Sequence, residues 1–164
     1  MGCCINSPYI YPDGGVYDGE LKNGLPNGKG KIQWKNGDYF EGNFEGGQKI
    51  GKGIFKWNDQ SYYDGEFQNE NFHGYGEYQW YGGKLYKGQW VNGKMDGQGI
   101  LIDDGKQYQG QFKNDKKEGQ GEMKWSNGQK YIGEWKNGKQ HGKGQLIDAH
   151  GHVIDGQWIK GKKQ

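Results

Sequence analysis

The chain has 164 residues, of which 30% are apolar, 15% are aromatic and 34 are glycine. Its 22 basic residues are all lysine and its 20 acidic residues leave a net charge of +2, so the charge balance dictates no partner, and the absence of arginine argues against nucleic acid as a ligand. The aromatic content argues against a disordered chain, and the glycines lack the strict third-residue period of collagen.

The N-terminal segment, residues 1–16, lies outside the repeat pattern that follows and is predicted to be a separate tail. It begins Met-Gly, close to the N-myristoylation pattern, although Asn6 stands where that pattern has Ser or Thr. One myristoyl chain binds a membrane only marginally, and stable anchoring takes a second signal. We therefore predict dual acylation at Gly2 with Cys3 or Cys4, the only cysteines of the chain; the alternative is an unmodified tail with two exposed thiols.

From Tyr17 onward the sequence repeats one unit, seen most completely in YKGQWVNGKMDGQG, residues 86–99. An aromatic residue, a glycine and a second aromatic residue alternate, and an Asn-Gly pair and a Gly-x-Gly pair follow. With the first glycine as position 0, these landmarks fall at −2, 0, +2, +5, +9 and +11. The successive spacings of position 0 are 23, 23, 23, 22, 23 and 23 residues, which identifies a repeat protein of six and a half repeats over residues 17–164. Position 0 is Gly19, Gly42, Gly65, Gly88, Gly110, Gly133 and Gly156.

Two segments of each repeat alternate with period two, which predicts two β-strands. Asn-Gly and Asp-Gly pairs such as Asn23-Gly24, Asn36-Gly37 and Asp104-Gly105 predict type I′ turns within and between repeats. The fold class is therefore all-β: an elongated, single-layer antiparallel meander of β-hairpins, twisted or curved into a ribbon. One face is predicted to be aromatic and the other charged, and the glycines at 0, +9 and +11 are predicted to let aromatic rings lie flat on the backbone.

The pattern Y-x-G-x-[WF]-x-x-G, followed by G-x-G at a period of 23 residues, resembles the MORN repeat (membrane occupation and recognition nexus) over about residues 17–161. Three departures are local: Gln60 replaces a late glycine, Glu70 and Asp115 replace the turn glycine, and repeat four is one residue short. The resemblance implies a ribbon of hairpins that serves as a scaffold or adaptor.

Residues able to carry catalysis are sparse. Gly-Lys never precedes Ser or Thr as in a P-loop, and Cys3 and Cys4 lie in a tail that cannot hold a base against them. His150 and His152 flank a turn glycine and are predicted to be an exposed pair rather than metal ligands. We predict no enzymatic activity, no metal and no cofactor. The sequence also has no long apolar run and no secretory segment, so we expect an intracellular chain.

The aromatic face is the predicted binding surface. A single layer cannot cover both sides of its rings, and exposed aromatic surface usually marks an interaction site; an amphipathic helix lying in an aromatic groove is one recognised mode. Since Trp and Tyr are the usual hot-spot residues, rings of the central and C-terminal repeats are the predicted contacts. They are Trp80, Tyr86, Trp90, Tyr108, Trp125, Tyr131 and Trp135.

The leading hypothesis is a non-catalytic scaffold, tethered by its acylated N-terminus to the cytoplasmic face of a membrane, that holds a protein partner in the aromatic groove. One alternative is a module that binds anionic phospholipids directly through its lysines. Another is a ciliary, flagellar or cytoskeletal structural subunit whose N-terminal cysteines are incidental.

Overall fold

The computed structural model describes residues 8–164, and the predicted acylation sites Gly2, Cys3 and Cys4 lie outside them. The described residues form one sheet of 15 strands in which each strand pairs antiparallel with its neighbours in sequence. The predicted all-β meander is therefore confirmed. No helix among residues 8–164 is long and apolar enough to cross a membrane. The strands are β1 (Tyr9–Ile10), β2 (Val16–Lys22), β3 (Leu25–Gln33), β4 (Tyr39–Glu45), β5 (Gln48–Lys56), β6 (Tyr62–Gln68), β7 (Asn71–Gln79), β8 (Leu85–Val91), β9 (Lys94–Asp103), β10 (Lys106–Lys113), β11 (Lys116–Lys124), β12 (Lys130–Lys136), β13 (Lys139–Ile147), β14 (Val153–Ile159) and β15 (Lys162–Lys163).

A row of paired glycines crosses the sheet. Position 0 of one repeat pairs with position +11 of the same repeat, as Gly88 does with Gly99, and position +11 pairs with the next position 0, as Gly76 does with Gly88. A Cβ added at Gly99 would lie 2.5 Å from the Tyr86 ring and its hydroxyl oxygen. The prediction that rings lie flat over these glycines is correct for positions 0 and +11. The row consists of Gly19, Gly30, Gly42, Gly53, Gly65, Gly76, Gly88, Gly99, Gly110, Gly121, Gly133, Gly144 and Gly156.

The glycine at +9 has a different role from the predicted one. Its φ is positive in every repeat and reaches +106° at Gly97, where an added Cβ would meet the carboxamide of Gln89 instead of a ring. The pairing register shifts opposite this glycine, between Gly88 and Trp90, so the glycine forms a β-bulge in the left-handed conformation that Gly adopts at least cost. The prediction that a ring lies over the +9 glycine assumed that residues alternate regularly between the two faces of the sheet, and the bulge breaks this alternation.

The polar residue at +1 completes the bulge from the opposite face. The bulge leaves the N–H at +10 without a partner in the strand ladder, and the side chain at +1 accepts its hydrogen bond. Gln98 N–H donates to Gln89 Oε1 (2.6 Å), and Lys143 N–H donates to Glu134 Oε1 (2.9 Å). The residue between the glycine and the aromatic residue is therefore a structural acceptor in these repeats.

Turns within repeats are type I′ as predicted, with φ of +49° at Asn92 and +77° at Gly93. Glu70 and Asp115 take the place of the turn glycine and adopt φ of +69° and +65°. From the second repeat onward, each of these turns is also joined to the preceding repeat, as where Gly93 N–H donates to the carbonyl of Phe72 (2.9 Å). Consecutive hairpins are thus linked at their turn ends.

Turns between repeats differ from the predicted type I′. At Asn36-Gly37 only Gly37 has positive φ, +96°, and the loop closes by hydrogen bonds from Trp34 N–H to the Asp38 carbonyl and from Gly37 N–H to the Trp34 carbonyl, 3.0 and 3.1 Å long. Repeat four has a two-residue turn here instead, with φ of +47° at Asp104 and +69° at Gly105. The shorter turn accounts for the residue that this repeat lacks.

The periodic sheet begins before the predicted boundary at residue 17. Tyr9 pairs with Tyr17, and the Tyr11 hydroxyl donates to the carbonyl of Gly47 (2.8 Å). Tyr9 and Tyr11 precede Ile32 and Trp34 by 32 − 9 = 34 − 11 = 23 residues, so they occupy positions +13 and +15. The sequence pattern does not reveal this partial repeat, because the Gly-x-Gly pair that precedes positions +13 and +15 in the other repeats is absent here.

Candidate functional site

The rings at −2 and +2 form the core of the aromatic face. Tyr86 contacts Trp90 of its own repeat and Phe112 of the next one edge to face, with centroid distances of 5.0 and 5.1 Å. This geometry is the favoured one for ring pairs, and it continues without a break from Tyr17 to Trp158. We call these rings the buried ring chain.

Polar atoms of the buried ring chain bond to the chain's own backbone. Tyr86 Oη donates to the Gln89 carbonyl (2.9 Å), and Trp90 Nε1 donates to the Gly76 carbonyl (3.1 Å). Burial raises the pKa of the Tyr63, Tyr86 and Tyr108 hydroxyls above the usual range of tyrosine. The tyrosine hydroxyls of the buried ring chain and the indole N–H groups of Trp90 and Trp135 are therefore bonded within the fold and are not free to donate to a ligand.

Of the seven predicted contact residues, five belong to the buried ring chain and are at most 6% exposed. They are Tyr86, Trp90, Tyr108, Tyr131 and Trp135. Trp80 and Trp125, both at position +15, are only partly buried. Of the predicted set, these two rings are the ones that the fold leaves accessible to a partner.

A second row of rings, only partly buried, lies beside the buried ring chain on the same face. It comes from positions +13 and +15 of the first three repeats, and its neighbouring centroids lie 5.3, 4.5, 5.2 and 4.4 Å apart. We call it the aromatic ridge: Trp34, Phe55, Trp57, Tyr78 and Trp80. Four of these five rings were not among the predicted contacts. The signal that could have found them is the motif aromatic-x-Trp in two consecutive repeats, Phe55-x-Trp57 and Tyr78-x-Trp80.

The ridge is interrupted at repeat four. Position +15 is Asp103 there instead of Trp, and the flanking +13 positions carry the aliphatic residues Leu101 and Met123. A cleft opens on the aromatic face at this point, and we call it the repeat-four cleft. It is lined by Leu101, Asp103, Asp104, Lys106, Tyr108, Lys117 and Met123.

The histidine pair lies at the last turn between repeats. His152 Nδ1 is 2.8 Å from Asp148 Oδ2, and the backbone N–H groups of His150 and His152 donate to Asp148 Oδ1 at 2.8 and 2.9 Å. Asp148 therefore orders this turn. No group of three or more His, Cys, Asp or Glu within residues 8–164 is placed to hold a metal ion.

Comparison with known proteins identifies one matching family model and solved structures with a similar fold. The family model "MORN repeat" matches residues 17–39, 40–62, 63–84, 86–105, 108–130 and 131–153. No curated protein sequence matches the chain.

Among solved structures, the SAS-4 (dCPAP) TCP domain of Drosophila melanogaster, in complex with a proline-rich motif of Ana2 (dSTIL), is 12% identical with a TM-score of 0.53. The match covers 91% of this chain and 81% of that one. A mutant TCP10 domain of Danio rerio CPAP is 13% identical over 93% of this chain and 99% of its own. Its TM-score of 0.30 is too low to indicate a shared fold. At such identity the likeness shows the fold alone.

Proposed function

Because this chain belongs to the MORN-repeat family, we propose that it is a scaffold that binds a protein segment along its aromatic ridge. MORN repeats are generally non-catalytic and bind membranes or proteins, and no enzyme family matches the chain. The observation that carries the proposal is the continuous row of five partly exposed rings beside the buried ring chain. A few residues carry most of the binding energy of a protein interface, and Trp and Tyr are enriched among them.

The dimensions of the ridge favour an amphipathic helix as the bound segment. The ridge extends from β3 to β7, four strand spacings of about 4.8 Å each, or roughly 19 Å. A helix rises about 1.5 Å per residue, so about 13 residues would cover the ridge with one apolar stripe.

A proline-rich segment is the alternative occupant. The Drosophila TCP domain that shares this fold is bound to a proline-rich motif, and extended proline-rich chains dock on rows of aromatic rings. At about 3.1 Å per residue, some six residues would span the ridge.

Affinity capture from the protein's own cells, with quantitative mass spectrometry, tests the ridge. The double variant Trp57→Ala/Tyr78→Ala removes two adjacent ridge rings, and recovery of the partner should fall at least about tenfold, since hot-spot truncations cost about 2 kcal/mol or more. Tyr75→Ala is the matched control, because Tyr75 lies on the same strand, faces the other side of the sheet and is 52% exposed. Equal recovery of the same proteins by all three chains would contradict the proposal.

We further propose that Gly2 with Cys3 or Cys4 tethers this scaffold to the cytoplasmic face of a membrane. The support is in the sequence: an N-terminal glycine next to the only two cysteines supplies the two signals that stable anchoring needs. Gly2→Ala should move the protein to the soluble fraction, with Ile5→Ala, at a position that the acylation pattern leaves free, as the control. If the Gly2→Ala protein stays in the membrane fraction, the tether is wrong; if the unaltered protein sediments with detergent-resistant filaments, the cytoskeletal alternative takes its place.

Direct recognition of anionic phospholipids has less support. On the face opposite the rings, lysines are balanced by carboxylates across the strands, with Lys31–Asp18 at 3.1 Å and Lys87–Glu77 at 3.5 Å. Farther along the chain, the +1 and +10 positions of that face carry Gln89, Gln98, Gln111 and Gln120. Such a surface has no concentrated positive charge for an anionic membrane to attract.

A further inference from the structure

Lys49 and Lys117 occupy the same repeat position, +7, in repeats two and five. Both ammonium groups lie over aromatic rings: Lys49 Nζ is 5.4 Å from the centroid of Phe40, and Lys117 Nζ is 5.1 Å from the centroids of Tyr108 and Trp135. Ring faces attract cations, but they supply no counter-charge. A partly buried ammonium therefore still gains from a carboxylate.

Lys49 has such a carboxylate within the chain. Glu70, in the turn of the next repeat, accepts a hydrogen bond from Lys49 N–H (2.6 Å) and pairs with Lys49 Nζ. At the corresponding turn position opposite Lys117 stands Gly138. Lys117 forms no ion pair with any residue in the described part of the chain.

Lys117 lines the repeat-four cleft, and its burial there lowers the pKa of its ammonium group below the usual value of lysine. The other charges at the cleft are already matched. Lys84 pairs with Asp103 at 3.9 Å, and Lys106 pairs with Asp104 at 3.8 Å. The Asp103 carboxylate also acts on Lys117, but from beyond ion-pair distance. Lys117 is therefore a lysine at the edge of an apolar cleft with no direct ion-pair partner in the described part of the chain.

The apolar part of the cleft is the place of the missing tryptophan. Trp57 and Trp80 fill position +15 in the two preceding repeats, whereas Asp103 at the same position is exposed. Leu101, Tyr108 and Met123 form the apolar lining. Where repeat four lacks the tryptophan of position +15, an apolar slot therefore lies next to Lys117, which has no ion-pair partner among the described residues.

We propose that the repeat-four cleft receives from the bound protein segment an aromatic side chain with a carboxylate beside it, the ring filling the slot and the carboxylate pairing with Lys117. The inference rests on the proposed scaffold function and specifies the chemistry of its partner: an aspartate or glutamate adjacent to an aromatic residue. The Lys49–Glu70 pair shows the lysine–carboxylate part of this arrangement formed within the chain.

A methionine-methyl NMR titration of the full chain tests this inference without the natural partner. The probe is acetyl-aspartyl-tryptophan amide, and acetyl-asparaginyl-tryptophan amide is its uncharged control. Met123 lines the cleft and should shift with saturation, whereas Met95, which pairs with Trp90, should not. A hydrogen bond to a charged group is stronger than one to a neutral amide, so the acidic probe should bind about tenfold more tightly than the amide.

Four variants locate the site. Lys117→Gln should weaken the acidic probe to the level of the amide, and Gly138→Glu, which gives Lys117 an internal carboxylate, should do the same. Asp103→Trp should abolish binding by filling the slot, whereas Asp103→Asn, which leaves the slot open, should not weaken binding. Equal affinity of the two probes, equal shifts of Met95 and Met123, or unchanged binding to Lys117→Gln would overturn the inference.

The outcome is independent of the ridge test. If the titration fails, binding along Trp57 and Tyr78 stands as proposed, and the cleft is not part of it. If the titration succeeds while Trp57→Ala/Tyr78→Ala captures the same proteins as the unaltered chain, the ridge proposal fails and the cleft remains a site for acidic aromatic peptides.

Discussion

At the scale of single residues, two glycines only two positions apart serve different purposes. Gly99 is small because the Tyr86 ring occupies the space of its side chain, whereas Gly97 has φ of +106° in a bulge. Both appear in the sequence as one Gly-x-Gly motif. The sequence therefore reveals that both glycines matter, but the distinction depends on a shift in strand register that no spacing encodes.

Gly99→Val should destabilise the fold by about 3 kcal/mol, because its side chain would displace the buried Tyr86 ring. Gly83→Ala is the control: it lies in open space with φ of +91°, so it should cost about 1 kcal/mol for a left-handed alanine. Urea unfolding followed by tryptophan fluorescence measures both. Equal losses would show that the ring does not need the space at Gly99.

Glu70→Gln should destabilise the protein by about 2 kcal/mol, because it leaves the nearly buried Lys49 ammonium without a counter-charge. Asp18→Asn breaks a pair with Lys31 that is exposed on both sides and should change the free energy of unfolding by less than about 0.5 kcal/mol. Thermal unfolding of the two variants at one pH compares them. A larger loss for Asp18→Asn would contradict the role assigned to Glu70.

At the scale of elements, the sequence predicts the strands and the turns within repeats because period-two alternation and Asn-Gly pairs are local signals. It does not predict the three-residue loops at the other ends. Asn36-Gly37 has the same letters as Asn23-Gly24, and the difference arises from the hydrogen bonds that Trp34 makes across the loop. The sequence does not predict the strand at Tyr9, because this segment lacks the glycines by which the other repeats are recognised.

The same limit applies to the ring rows. Positions −2, +2 and +15 are mostly aromatic and position +13 is aromatic in two repeats. Packing between neighbouring repeats decides which of these rings are covered. Trp90 lies between rings of two repeats and is 4% exposed, whereas Trp80 contacts Tyr78 and remains partly exposed. The aromatic face could be predicted from the sequence, but its accessible part could not.

Trp57→Ala should cost about 1 kcal/mol more than Trp125→Ala, although both are half-buried tryptophans at position +15. Trp57 contacts Phe55 and Tyr78, with centroids 4.5 and 5.2 Å away, and Trp125 has no aromatic ring partner among residues 8–164. Aromatic pairs add about 0.5–1.5 kcal/mol beyond buried area. Denaturant titration of the two variants measures their free energies of unfolding. Equal losses would show that the contacts between ridge rings add no stability.

At the scale of the whole molecule, each repeat contacts its neighbours, so stability is shared along the array. The tyrosines link that stability to pH. A hydrogen bond to Glu41 raises the pKa of Tyr39 to about 12, one to Glu77 does the same for Tyr62, and burial raises the pKa of Tyr86. Tyrosine in an unfolded chain has a pKa of about 10.

Since the folded pKa values are the higher ones, their contribution to stability is complete below about pH 10 and is lost as the pH rises through 10 towards 12 and beyond. The protein should therefore unfold cooperatively in alkali, and the ionisation of the buried tyrosines, seen as a late rise in tyrosinate absorbance, should coincide with the loss of β-sheet circular dichroism. Titration of all tyrosines near pH 10 in a protein that keeps its β-sheet signal would contradict this prediction.

The central claim, that the ridge face is where this scaffold holds its partner, is tested most directly by site-specific photo-crosslinking. A benzophenone amino acid is placed at Tyr78 on the ridge or at Tyr75 on the opposite face of the same strand. In cells that contain the natural partner, irradiation should give a defined protein adduct from position 78 and none from position 75. Adducts from position 75 alone, or the same adducts from both positions, would show that the partner does not bind along the aromatic ridge.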